Sequence, residues 1–280
     1  MKQTPFFFLL PSIIILAFTS LYPICYSIYY SFFNWRWGDE KDFIGLTNYL
    51  TLLTDKEFWI VIKNTFIFAF FACFFEITIG VILAIYIDRI KIGSTIIRTI
   101  LLVPLMVSGI SVTMIFKVML DNMFGIVPYF LSFVGIKSNF FGSYTAAMPT
   151  IIGLDVWWQT SFVFIIILAG LKSIPNEPIE AARMDGATEW EITRHIRLPM
   201  IRSLLFLVLI FRSIDTLKVF DIVWGTTAGG PGLATEALQT YAYRVAFSFL
   251  EMSKSMTVMV LFSIVVIFLT LLYSRLNKDL

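Results

Sequence analysis

The chain has 280 residues, 58% hydrophobic and 14% charged, with a mean hydropathy of +0.84 and a formal net charge of +2. Soluble domains carry about a quarter charged residues, so this composition describes an integral membrane protein of the all-α class, and 21 basic against 19 acidic groups leave no basic stripe for nucleic acid. One histidine, His195, and two cysteines, Cys25 and Cys73, both in apolar stretches, cannot build a metal-ligand cluster, which excludes zinc, haem and iron–sulfur chemistry.

Apolar runs long enough to cross about 30 Å of hydrocarbon predict six spans in a single transmembrane domain covering residues 1–280. They lie at about 6–32, 64–87, 99–120, 148–171, 204–224 and 256–273. The first reads as a retained span, not a cleaved signal, because its n-region holds only Lys2, its apolar run exceeds a signal core, and no A-x-A site follows. Cys25 and Cys73 read as small apolar residues. Trp35 and Trp37 sit where an interfacial aromatic belt is expected. Thr54-Asp55-Lys56-Glu57 reads as a capping box opening the second span. Pro104 with Gly109 marks the third span as kinkable.

Lys and Arg counts in the connections set the orientation. Lys2, Arg89, Lys91, Arg98, Lys172, Arg183, Arg194, Arg197, Arg202, Arg275 and Lys278 fall on one side. Arg36, Lys41, Lys56, Lys63, Lys137, Arg244 and Lys254 fall on the other, in longer loops. The richer side is cytoplasmic, which places both termini there. Within the spans, Glu76, Asp155, Arg212, Asp215, Lys218 and Asp221 are costly to bury unless they face a cavity or a partner. The last four recur every three residues, so neighbours of opposite sign can pair along one helix. Asp155-Val-Trp157-Trp158-Gln159 has the aromatic and planar polar groups that sugars ask for, and Trp158 and Gln159 join the candidate substrate path.

The most polar connection, about 173–202, predicts two short helices joined at a glycine. Pro175 and Pro178 suit a first turn, Asp185-Gly186 stops the first helix, and Thr188-Glu189-Trp190-Glu191 is a capping box opening a second that Leu198-Pro199 ends. A plain link would need two to eight residues or so. A capped pair of helices this long reads as a docking platform, and Ala181-Ala182 leaves a face that another protein approaches closely.

Glu180-Ala181-Ala182-Arg-Met-Asp185-Gly186-Ala187, followed by Ile196-Arg-Leu198-Pro199, resembles the E-A-A-x-x-D-G-A…I-x-L-P loop of ABC importer permeases, the MetI-like binding-protein-dependent inner-membrane components. Leu10-Pro11, Tyr22-Pro23, Gly45-Leu46-Thr-Asn48-Tyr49, Asn64-Thr65, Phe220-Asp221, Thr227-Ala-Gly229-Gly230-Pro231, Thr235 and Ala246-Phe247 extend the likeness to the maltose/glycerol-phosphate sugar class and its first permease subunit. The chain departs from the family at Ser203, where a proline is usual, and at Ile192, where an aromatic is usual.

The resemblance implies a non-catalytic permease subunit in the cell membrane that imports a di- or oligosaccharide by alternating access. Its partners would be a second permease subunit, a dimer of cytoplasmic ABC ATPases that binds ATP and Mg, and an extracytoplasmic solute-binding protein. This chain would hold no cofactor, and it lacks a G-x-x-x-x-G-K-[ST] phosphate loop. Glu180, Ala181, Ala182, Asp185, Gly186, Ala187, Leu198 and Pro199 would couple to the ATPase, and Gly229, Gly230 and Pro231 would shape an outer turn or gate. The alternatives are an ion-coupled secondary transporter led by Glu76 and Asp155, or an ABC permease for glycerol-phosphate-like solutes.

Overall fold

The computed structural model describes residues 4–90, 92–135 and 139–276. Lys2, Lys91, Lys137 and Lys278, which enter the loop-charge count, lie outside them. In chain order, α1 (Thr4–Leu16) passes through a π turn (Ala17–Leu21) into α2 (Tyr22–Tyr30). A two-residue ribbon follows, β1 (Phe33–Asn34) antiparallel to β2 (Asp42–Phe43). Then come α3 (Thr47–Thr54), α4 (Lys56–Arg89), α5 (Ser94–Leu102), α6 (Gly109–Met119), α7 (Ile126–Ser132) and α8 (Ala147–Lys172). They are followed by α9 (Asn176–Met184), α10 (Glu189–Ile192), a second π turn (Thr193–Arg197), α11 (Leu198–Met200), α12 (Arg202–Leu217), α13 (Asp221–Thr226), α14 (Leu238–Phe247) and α15 (Met252–Leu276).

Among the described residues four stretches are uninterrupted and apolar enough to cross a membrane: Leu9–Tyr30, Lys56–Arg89, Ala147–Lys172 and Met252–Arg275. The other two expected spans are interrupted. Ser94–Met106 and Gly109–Met119 meet at 96°. Val107 and Ser108 between them are extended, and the Ser108 hydroxyl caps α6 by accepting from the Ser111 amide. The 204–224 stretch is split at Lys218–Phe220 into α12 and α13.

Both π turns lie just ahead of a proline. Proline has no N–H, and its ring clashes with the carbonyl four residues back. The wider turns, closed by Tyr22 N–H to Ala17 O and by Leu198 N–H to Thr193 O, shift the hydrogen-bond ladder immediately before Pro23 and Pro199. Pro199 therefore does not end the second loop helix as expected. The helical path continues through α11 and turns only at Ile201. The expected capping box at Thr54 is also absent: the Thr54 hydroxyl bonds back to Leu50 and Thr51 carbonyls within α3. The Asp55 carboxylate accepts the Glu57 amide instead.

The chain forms two compact units, residues 1–62 with 238–267, and residues 63–237 with 268–280. In the first, Asn48 Nδ2 donates to the Ser31 and Phe33 carbonyls at 2.8 Å each, and Arg36 pairs with Glu251. Trp35 is packed there: Lys41 Nζ lies 4.1 Å from its ring centre and 4.2 Å from that of Tyr30. Trp37 is exposed.

The second unit has two apolar cores. One gathers Ala84 and Ile87 of α4, Val163, Phe164, Ile167, Leu168 and Leu171 of α8, and Val208 of α12 with the loop residues Ile179 and Ile192. A Cβ on Gly80 would fall 2.6 Å from Val163 Cγ1, so only glycine lets α4 and α8 approach this closely. The other core joins Phe68 and Ala72 of α4 to Ile151 and Leu154 of α8 and to Val219, Ile222 and Val223 at the helix break.

Candidate functional site

A cavity of about 260 Å³ opens beside the break between α12 and α13 in the second unit. Asp155, Trp158 and Gln159 of α8 line it, with Arg212 and Asp215 of α12, Lys218 in the break and Asp221 at the start of α13. Six of the seven residues proposed for the substrate path therefore meet in one place. The seventh, Glu76 of α4, is fully buried behind the cavity instead of on its wall. Trp157 points elsewhere: half exposed, it makes an edge contact with Phe116, whereas Trp158 donates from Nε1 to the Val107 carbonyl at 3.1 Å.

Gly109 leaves room for two of these lining residues by having no side chain. A Cβ there would lie 2.6 Å from Asp221 Oδ2 and 2.8 Å from the Trp158 ring. The bend after Pro104 thus brings the bare start of α6 against both groups.

Arg212 organises the charges. Its Nε donates to Glu76 Oε2 at 2.5 Å, its Nη1 to Asp215 Oδ2 at 2.6 Å, and its Nη2 lies 3.6 Å from Asp155 Oδ2. The guanidinium is 3% exposed, so the ion pairs tie α4, α8 and α12 together in a low-dielectric setting. Only the first rung of the expected three-residue charge ladder forms. The helix ends at Leu217, and among the described residues Lys218 and Asp221 make no ion pair.

The polar loop forms a second assembly in the same unit. Helix α9 starts after Pro175 and closes in a Schellman pattern at Gly186, whose φ is +84°: Gly186 N–H donates to Arg183 O and Ala187 N–H to Ala182 O. The capping box is made in full. Thr188 Oγ1 accepts the Glu191 amide at 3.3 Å, and the Glu191 carboxylate accepts the Thr188 amide at 2.7 Å. Hydrogen bonds from the Thr188 hydroxyl and amide hold the Glu191 carboxyl below its ordinary range.

Ile179 and Ile192 face the core, the latter fully buried, each contributing roughly 1.5–3 kcal/mol of apolar burial. Glu180, Ala181, Asp185, Gly186 and Pro199 are left exposed, with Ala182, Ala187 and Leu198 half-buried. Ile192 thus fills an apolar slot, where the likeness to the family led us to expect an aromatic.

Sequence reasoning missed the residue that anchors this loop. Glu189 bonds Arg183 at 2.8 Å and Arg197 at 3.4 Å, and Arg89 at the end of α4 reaches its carboxylate at 3.8 Å and its carbonyl at 3.2 Å. Arg89 also donates to Thr193 Oγ1 at 2.8 Å. Burial alone would raise the Glu189 pKa, but the hydrogen bond from Arg183 and the charges of Arg183, Arg197 and Arg89 outweigh it and hold the carboxyl below its ordinary range. The excess of arginine around one loop was the available signal.

The Gly229-Gly230-Pro231 turn is closed on itself. Thr235 donates its hydroxyl to Gly230 O at 2.8 Å and its amide to Gly229 O, while Thr227 and Thr235 hydroxyls meet at 2.7 Å. Asn64 Nδ2 fastens the segment to α4 through Leu233 O at 2.6 Å.

A family model described as binding-protein-dependent transport system inner membrane component matches residues 76–279. The trehalose/maltose transport system permease protein MalF of Thermococcus litoralis is 36% identical over 205 residues, 73% of this chain and 70% of that protein. The sn-glycerol-3-phosphate transport system permease protein UgpA of Yersinia pseudotuberculosis is 29% identical over 276 residues, 97% of this chain and 93% of that one. A solved bacterial ABC transporter involved in the import of the acidic polysaccharide alginate shares the fold at a TM-score of 0.88 and 23% identity, covering 99% of this chain and 96% of its own.

Proposed function

Because the chain belongs to the binding-protein-dependent transport system inner membrane components, we propose that it is the sugar-translocating permease subunit of an ATP-driven importer, with a di- or oligosaccharide as cargo. The observation that carries this reading is that one compact unit holds both a polar, tryptophan-walled cavity at a helix break and a capped, outward-facing two-helix loop. Transport sites favour discontinuous helices, where carbonyls and amides freed from the ladder face the cargo. A sugar would lay a C–H face on Trp158 and donate hydroxyls to Asp155, Asp215 and Asp221, while Lys218 and Gln159 supply donors.

The loop would sit on a separate ATPase subunit that binds ATP and Mg. Glu180 would anchor it, Ala181 and Ala182 would allow close approach, and Asp185, Gly186, Ala187, Leu198 and Pro199 would complete the face. Motion of that ATPase would pass through Ile179, Ile192 and the Arg89–Glu189 contact into α4 and α8. A second permease subunit and an extracytoplasmic binding protein would complete the assembly, the latter meeting the turn at Gly229, Gly230 and Pro231. Both termini would be cytoplasmic. The names of MalF, a trehalose/maltose permease, and UgpA, an sn-glycerol-3-phosphate permease, support a sugar or a polyol phosphate as the cargo class.

The test is uptake of radiolabelled sugars into proteoliposomes that hold this chain with its partner permease, ATPase and binding protein. Uptake should require ATP and fall to background in Glu180→Ala while the complex still assembles. Uptake that proceeds without the ATPase and ignores Glu180 would replace this reading with an ion-coupled one led by Glu76 and Asp155.

A further inference from the structure

We propose, resting on the permease reading above, that the cavity selects uncharged polyhydroxylated solutes and discriminates against anionic ones such as sugar phosphates and uronates. The charges divide into those already paired within the protein and those a solute can reach. Around the cavity stand four carboxylates, Glu76, Asp155, Asp215 and Asp221, against two cations, Arg212 and Lys218, a formal balance of −2. Arg212 is the group that would ordinarily clamp a phosphate or carboxylate. Here its Nε and both terminal nitrogens are directed at acids of the protein, and it is 3% exposed. To engage an anionic cargo it would have to give up one of these acids, the exposed Asp215 or the buried Glu76 and Asp155, and the carboxylate released would be left without its partner.

Lys218 is then the one cation among the described lining residues that a solute can reach. It does not stand alone. Asp215 precedes it by three residues with a side chain 60% exposed, and Asp221 follows by three and is exposed as well. Asp215 is itself paired with Arg212, so an anion approaching Lys218 competes with Asp221 for it and enters a cavity whose acids outnumber its bases. A neutral sugar meets no such cost. Its hydroxyls donate to the carboxylates, accept from Lys218 and do either with Gln159, and its apolar face packs on Trp158.

The experiment uses the assembled transporter, this chain with its partner permease and ATPase in lipid nanodiscs without binding protein, so that the readout belongs to the cavity. Saturation-transfer NMR would be recorded with two matched pairs of probes, trehalose with trehalose 6-phosphate and glycerol with glycerol 3-phosphate. The neutral member of each pair should bind more tightly by on the order of tenfold. Trp158→Ala should abolish the difference by removing the neutral signal, and Asp221→Asn, which leaves the Arg212 cluster intact, should narrow it from the anionic side.

Equal or stronger binding of the phosphorylated members would overturn the inference, as would saturation transfer from none of the four. The permease reading is judged separately. ATP-driven uptake of an anion that is lost in Glu180→Ala would keep the importer and sink only the charge selection.

Discussion

Arg212 of α12 draws side chains from α4 and α8 as well as its own helix. Three acids converge on it, and one of them, Glu76, is 136 positions away in the chain. A guanidinium can serve all three because its N–H groups fan out in a plane, which an ammonium cannot imitate. Arg212→Met should therefore strand buried carboxylates and destabilise the protein by about 3–5 kcal/mol, read as a fall in the melting temperature of the purified complex. Adding Glu76→Gln to that variant should recover part of the loss, because it removes the charge left without a partner. An Arg212→Met protein that melts like wild type would mean the cluster holds nothing together. The sequence marked Arg212, Asp215, Lys218 and Asp221 as a periodic set, but a period describes one helix and is silent about whether that helix continues. It stops at Leu217, so Lys218 and Asp221 are freed to line a cavity.

The loop of α9 and α10 is the element whose local chemistry was most readable, since capping boxes and glycine stops act over three or four residues. Thr188 with Glu191 and the turn at Gly186 lie where those rules place them. The anchor at Glu189 was not readable, because two of its three arginine partners depend on how the chain returns: Arg89 from α4 and Arg197 across the π turn. The Glu189 carboxyl is held below its ordinary value of 4.5, so its contribution to loop order is complete above that pH and is lost as pH falls through the lower folded-state value. Hydrogen exchange gives the check. Protection factors over Thr193–Arg197, corrected for intrinsic rates, should drop severalfold in Glu189→Gln at neutral pH, and the gap between variant and wild type should close as the medium is acidified below pH 4.5. A gap that persists or widens in acid would show that ionised Glu189 is not the clasp.

For the whole molecule, the charge of the loops predicts an orientation that labelling can test. Asp39, between α2 and α3, and Asp185, at the end of α9, are both exposed and lie on opposite predicted sides. With Cys25 and Cys73 replaced by alanine, Asp39→Cys in intact cells should react with an impermeant maleimide, whereas Asp185→Cys should react only after the membrane is opened. The reverse pattern would invert the topology and remove the loop from reach of a cytoplasmic ATPase.

Class, four of the six apolar spans and the capped loop could be read from the residues in order, because hydropathy and helix caps act within a turn or over a single span. The loop motif carried the family as well. Only the tertiary structure decided what the intramembrane charges do. Glu76, Asp155 and Arg212 come from three distant helices, and a buried charge takes its meaning from the partner that long-range packing supplies. The same holds for Gly80 and Gly109, whose missing side chains matter only because Val163 in one case, and Trp158 and Asp221 in the other, arrive from elsewhere in the chain to fill the space.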